Sequence, residues 1–159
     1  LIVVGDLAEC GASDVDYLSR FSIYSQDLIQ KNTNFNEKIE LEYGSSRYPT
    51  VDNPEQVSDY ERGFYTDLYI AGVKTLPQYR VEKYVLDFAI IDGDRKLNIE
   101  VDGEKYHRNW NGELCRRDQM RNQRMYELGW EVYRFWVYEI RDDLSSCIDK
   151  IKKWQENNL

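Results

Sequence analysis

YVLDFAIIDGDRKLNIEVDGEKYH, residues 84–107, reads as two strands, VLDFAII and KLNIEV, joined by a turn at Asp92-Gly93-Asp94-Arg95. The glycine can take the positive φ that a tight hairpin needs. Whether the loop is Gly93-Asp94 alone or all four residues, the register is the same: Ile91 faces Lys96 and Asp87 faces Glu100. Directly opposed strand residues have Cβ atoms roughly 4.5–5.5 Å apart, where like charges destabilise the pair. Alternation places Asp102 on the same face, diagonal to Asp87. Three acids thus converge on a patch otherwise made of Ile, Val, Leu and Phe, an arrangement that calls for a neutralising cation.

Hard divalent cations take oxygen ligands, and Mg²⁺ binds through one or two carboxylates plus waters and substrate phosphate. An Asp and a Glu on adjacent strands are the minimum for phosphodiester hydrolysis by a metal-activated water. His107, the only histidine of the chain, follows Asp102 by five residues. It can either ligate metal or accept a proton from the attacking water at neutral pH.

An Asp on one strand followed by Glu-x-Lys on the next is the PD-(D/E)XK nuclease pattern, which Asp87 with Glu100-Val101-Asp102 resembles, with Asp in the lysine position. The wider string IEVDGEKYH, RRDQMR, ELGWEVYRFW is similar to the restriction-endonuclease-like domain at the C-terminus of some bacterial superfamily I helicases. It also resembles the very-short-patch repair endonucleases, which share the Gly-x-x-x-His and Gly-Trp elements. The resemblance covers residues 58–154. It implies a metal-dependent deoxyribonuclease attached to a helicase, with Asp87 and Glu100 on Mg²⁺ or Mn²⁺ and Asp102 completing the shell or orienting water. It further implies that an acid on the first helix, here Glu61, points at the metal, and that Gln78 matches a recurrent Gln of the first strand. The lysine that stabilises developing charge on phosphate is replaced by Asp102, so Lys105 or a second metal has to substitute.

Composition sets the frame for these residues. A chain of 159 residues with three prolines suffices for one domain with a real core and a short extra segment. It has no run of about 18 apolar residues that would span a membrane as a helix. The net charge of −8 argues against a free-standing scavenger of nucleic acid, whose affinity would come from neutralised phosphates. The charge is uneven: residues 1–56 carry −6 and residues 57–159, which hold the acid cluster, only −2. Cys10, Cys115 and Cys147 are odd in number and share no metal-ligand spacing, which reads as reduced thiols in a cytoplasmic protein. The opening LIVVGD reads as a buried strand whose partners lie upstream, in keeping with an excised C-terminal piece.

Along the chain, residues 14–31 place Tyr17, Leu18, Phe21, Tyr24, Leu28 and Ile29 at helical spacing, a structural helix. Residues 32–54 lack clear period and read as a linker, with LEYGSSRYP able to form a short strand and turn. Ser58-Asp59-Tyr60-Glu61 has the form of a capping box. Val57, Glu61, Phe64, Leu68 and Ala71 also follow a 3.6-residue period, so Glu61 lies on the inward face as well, and both jobs are open to it. Residues 76–83 form the first strand, in which Gln78 is either a site residue or an ordinary exposed one. Residues 116–128 form a helix with Arg117, Arg121 and Arg124 along one side. Such a stripe suits a DNA backbone, and equally an ordinary solvated face. Asp118 is assigned to one of these arginines or to the helix start. Residues 130–137 form a further strand, and a last helix begins at Asp142.

The expected order from Ser58 is helix, three-strand meander, helix, strand, helix: an α/β, restriction-endonuclease-like mixed sheet over residues 57–159, preceded by a leading segment over 1–56. Two functions compete for it. One is a Mg²⁺- or Mn²⁺-dependent DNA nuclease. The other is a nuclease-like fold without catalysis, serving an attached motor as a DNA-positioning or partner-docking module, which the acidic balance and the missing lysine favour.

Overall fold

A computed structural model describes residues 6–42, 46–103 and 116–157. β1 (Leu76–Val81), β2 (Tyr84–Asp92) and β3 (Arg95–Asp102) form the expected antiparallel meander. β4 (Trp130–Trp136) lies parallel to β3 and completes a four-stranded mixed sheet in the order β1-β2-β3-β4. A parallel neighbour cannot be reached by a hairpin, and the crossover between β3 and β4 carries α4 (Arg116–Glu127). The β2–β3 loop is the two-residue form: Ile91 pairs with Lys96, Asp92 with Arg95, and Gly93 takes φ +59.

The sheet is covered on both faces. On one, Phe88, Ile90, Leu97, Ile99 and Phe135 pack against Phe64, Tyr65 and Leu68 of α3 (Asp59–Ile70) and against Ile151 and Trp154 of α6 (Leu144–Glu156). Phe64 sits edge-on to both Phe88 and Phe135, at 6.1 and 5.8 Å between ring centroids, a favoured geometry for aromatic pairs. On the other face, Leu86, Ala89 and Trp130 pack with Met125 of α4.

Three stretches differ from the sequence reading. Residues 7–11, to which the sequence reading assigns no helix, form the short helix α1 (Leu7–Gly11), capped by the Asp6 carboxylate on the Ala8 and Glu9 N–H groups. α2 spans Asp16–Glu42 and so continues through the Asn-rich stretch taken as linker. Asparagine is a poor helix former; tertiary contacts compensate here. The Asn36 side chain donates to the Arg80 carbonyl at 3.0 Å and accepts the Arg80 N–H at 2.9 Å, covering the outer edge of β1. One residue earlier, Phe35 is buried with Val51 and Val57. The apolar stripe at helical spacing is largely exposed, with Tyr17, Tyr24 and Ile29 at 71, 66 and 57 %. Finally, α5 (Val137–Asp142) intervenes between β4 and α6, its start fixed by Glu139 accepting the Trp136 N–H at 2.8 Å. The strand expected over residues 1–6 falls, except for Asp6, outside the described residues.

Candidate active site

The strands part where the acids lie. β2 and β3 pair from Asp92 and Arg95 up to Phe88 and Ile99, and Asp87 and Glu100 stand one step past that last rung. On the other side, β2 pairs with β1 at Pro77↔Phe88 and Tyr79↔Leu86. Between those rungs the ladder skips the position where Gln78 and Asp87 oppose one another. Gln78 is held at φ +54, a left-handed conformation costing a non-glycine residue on the order of 1 kcal/mol or more.

This irregularity exchanges the faces of β2. Leu86 packs with Ala89 under α4, although simple alternation would send it with Phe88 to the α3 side. The expectation that Asp87, Glu100 and Asp102 share one face by alternation is modified accordingly. Glu100 and Asp102 lie on the α4 face, whereas Asp87 sits at the break. Its carboxylate turns into the opening between β2 and β3 and accepts the Val101 N–H at 2.8 Å.

Asp87 is half-buried, and its carboxyl is pushed well above the usual aspartate range. Burial is the main cause, followed by the negative charges of Glu100 and Glu61; the Val101 N–H and Arg121 act against it. Glu61 is buried on α3 and serves as the capping residue. Its Oε1 accepts from the Ser58 N–H and hydroxyl at 3.0 and 2.8 Å, closing the capping box, while Oε2 accepts from Gln78 Nε2 at 3.4 Å. The strained Gln78 thereby links β1 to the helix start.

Glu100 and Asp102 are both buried, and each meets an arginine. Arg121 of α4 reaches into the fork and donates to Glu100 Oε1 at 2.5 Å and to the Val85 carbonyl at 2.6 Å. Burial raises the Glu100 carboxyl, and Arg121 only partly offsets it. Asp102 is bonded to Arg134, which comes from the neighbouring strand β4 and also donates to Asn122 Oδ1 at 3.1 Å.

The basic stripe on α4 divides. Arg121 points inward to Glu100, Arg124 pairs with Glu82 at 2.5 Å and Glu127 at 3.0 Å, and Arg117 stays 84 % exposed, 3.9 Å from the buried Asp118. Lys105 and His107 lie outside the described residues. Among the described residues, no three His, Cys, Asp or Glu side chains gather into a metal-binding group.

Sequence reasoning missed Tyr48. It precedes α3 in the stretch read as linker, yet its ring packs edge-on to Tyr65 at 5.3 Å, with the Arg62 guanidinium 5.1 Å over it. Its phenol is raised far beyond the ordinary tyrosine range by burial, then by Glu61 and Asp87. Nothing in EYGSSRYP marks this residue for a site; only the folding of residues 46–57 onto α3 brings it there. That segment is fastened by Thr66 Oγ1 donating to the Ser46 carbonyl at 3.2 Å and Arg62 to the Pro54 carbonyl at 2.8 Å.

A mixed four-stranded sheet between helices, with acids at the mouth of its central fork, defines a restriction-endonuclease-like, nuclease-type domain. Residues 60–154, more than half of the chain, match the family model REase_MTES_1575, and the chain belongs to that restriction-endonuclease-like family. No curated protein and no solved structure matches it.

Proposed function

We propose that the domain hydrolyses phosphodiester bonds of DNA with the help of Mg²⁺ or Mn²⁺, which Asp87 and Glu100 would hold. The observation that carries this reading is Asp87 itself. It lies in the opening of the fork, its negative form disfavoured by Glu100 and Glu61, and among the described residues no ion pair neutralises it. The donor set fits a Mg²⁺-type ion, which needs only one or two carboxylates and completes its shell with water. When bound, the metal supplies an activated water and polarises the phosphate.

The residues of the chain would do the rest. Asp87 is oriented by the Val101 N–H, and Glu100 by Arg121, which grips only one of its oxygens. Gln78 donates to Glu61, whose negative charge adds to that of Glu100 in disfavouring the Asp87 carboxylate. Asp102, held by Arg134, stands in the position of the lysine of related nucleases, so that the Arg134 guanidinium brings positive charge to that place. In the reaction the water oxygen would bond to phosphorus as the ester P–O bond breaks, the water's proton would pass to a base, a role open to His107, and the leaving oxygen would take up a proton from solvent. The resemblance over residues 58–154 further supports a place at the C-terminus of a superfamily I helicase-type protein.

A cleavage assay on linear, nicked and single-stranded DNA with Mg²⁺ or Mn²⁺ tests this. Asp87→Asn and Glu100→Gln are expected to abolish cutting while circular dichroism shows the fold retained, and activity that survives both substitutions overturns the mechanism. A second reading, a non-catalytic DNA-positioning or partner-docking module, draws on the arginines that neutralise Glu100 and Asp102. It predicts no calorimetric Mn²⁺ binding at millimolar metal together with retained DNA affinity.

A further inference from the structure

The long helix α2 is packed along only part of its length. Residues 32–36 are held to the domain by Asn32, Phe35 and Asn36. Within residues 16–31 the one buried side chain is Ser22, whose hydroxyl donates to the Leu7 carbonyl of α1 at 2.6 Å. Helices in proteins are held mostly by tertiary packing of one face, and this half has little of it. It also carries Tyr17, Phe21, Ile23, Tyr24 and Ile29, five of the twelve large hydrophobic side chains exposed among the described residues.

We propose that this half of α2 is a self-association surface, on which a second copy of the chain packs antiparallel about a two-fold axis between Ile23 and Tyr24. The charge pattern selects both that occupant and that direction. Asp16, Arg20, Asp27 and Lys31 are all exposed, and at 3.6 residues per turn they fall within about 60° of arc on the helix surface. Their order is negative, positive, negative, positive. Asp16 and Lys31 stand equally far from the midpoint of the row, and so do Arg20 and Asp27. Laid antiparallel against itself, the row sets Asp16 opposite Lys31 of the second copy and Arg20 opposite Asp27, with each contact repeated by symmetry, as a two-fold interface requires. A parallel arrangement would set every charge against its like, which disfavours it.

Within one helix the Asp16–Arg20 and Asp27–Lys31 pairs, at 3.0 and 2.7 Å, are ordinary surface ion pairs of small value. Across the interface each would gain a second partner. Ile23 and Tyr24 flank the row at its midpoint, so each meets the other residue of the second copy there. The result is an apolar centre with charges toward both ends, the usual anatomy of a protein interface. Each copy carries a net charge of −8, but general repulsion is screened beyond about 8 Å at physiological salt, whereas the opposed charges would lie within that range. The strip from Asp16 to Lys31 is roughly 22 Å long, which places the contact among small, weak interfaces.

Sedimentation equilibrium of the whole chain, from micromolar to sub-millimolar concentration at physiological salt, is expected to show a monomer–dimer equilibrium with a dissociation constant on the order of tens of micromolar. Arg20→Asp and Asp27→Arg each turn two attractive contacts into like-charge contacts, and each alone is expected to weaken the dimer about tenfold. Both positions are exposed, so circular dichroism of the variants should match the wild type. Mixed in equal amounts, the two variants regain complementarity. Energy transfer between differently labelled copies is expected to show a heterodimer of near wild-type affinity. A protein that stays monomeric throughout the range overturns the proposal, since the face then serves a different occupant. A dimer that the single variants leave intact, a mixture that does not recover, or assembly that continues past the dimer overturns it as well. None of these results bears on the nuclease reading, which the cleavage assay tests separately.

Discussion

Acids of the same kind meet at one end of this sheet and are treated in opposite ways. On the α4 side, Glu100 and Asp102 are buried and each is answered by a guanidinium, Arg121 and Arg134. At the break and on α3, Asp87 accepts from Val101 and Glu61 accepts from Ser58 and Gln78, and among the described residues neither forms an ion pair. The first arrangement is how a fold accommodates buried charge; the second leaves charge repulsion in place. A carboxyl whose ionisation is disfavoured by burial and by like charges, at an opening in the sheet, is the kind of group found at functional sites.

The contrast predicts opposite signs for similar substitutions. The largest effect belongs to the paired side. Arg121→Met strands the Glu100 carboxylate, and loss of one partner of a buried pair costs about 3–5 kcal/mol. Urea denaturation should show this as a lower midpoint at unchanged slope. If the loss is under about 1 kcal/mol, the pair is not what holds Glu100, and the two sides are less different than described.

On the unpaired side the sign reverses. Asp87→Asn keeps an oxygen for the Val101 N–H and removes the disfavoured charge, so stability at pH 7 should rise by roughly 1–2 kcal/mol. The pH dependence follows from linkage. The folded protein holds the Asp87 proton more tightly than the unfolded chain does, so wild-type stability falls as pH rises past the unfolded value and through the raised folded one. Below both values Asp87 is protonated in either state, and the advantage of the Asn variant should vanish there. A gain independent of pH would trace the effect to something other than the charge. The smallest effect is at the hinge of the two sides. Gln78→Gly removes the side chain from a backbone at φ +54 and should gain about 1 kcal/mol in thermal unfolding, while weakening Mn²⁺ binding if Gln78 braces Glu61 beside Asp87.

Much of this was legible in the sequence because it is local. The hairpin register followed from alternation and one glycine, down to the pairing of Ile91 with Lys96. The capping box of Ser58 and Glu61 was visible in four residues, and the Gly-Trp step marked the start of β4. Alternation failed at Asp87, since a period of two presumes an unbroken strand and cannot foresee the skipped rung opposite Gln78. Arg134 and Arg121 were equally hidden. The pairing of Arg134 with Asp102 depends on β4 lying parallel to β3, in a register that sets Arg134 beside Glu100. Residues 32–42 looked irregular because the contacts that make them helical lie more than forty residues away, on Arg80 and Glu82.

Those same asparagines have a bearing on how the protein behaves in company. A rim strand with free amides and carbonyls invites another chain to join it, the route by which sheets polymerise into fibrils. Asn32 and Asn36 spend their amides on the Glu82 and Arg80 carbonyls, and Asn36 takes up the Arg80 amide as well. The leading segment thus shields the sheet from recruitment by its own kind, a safeguard against clumping at high concentration that is independent of any chemistry at the fork.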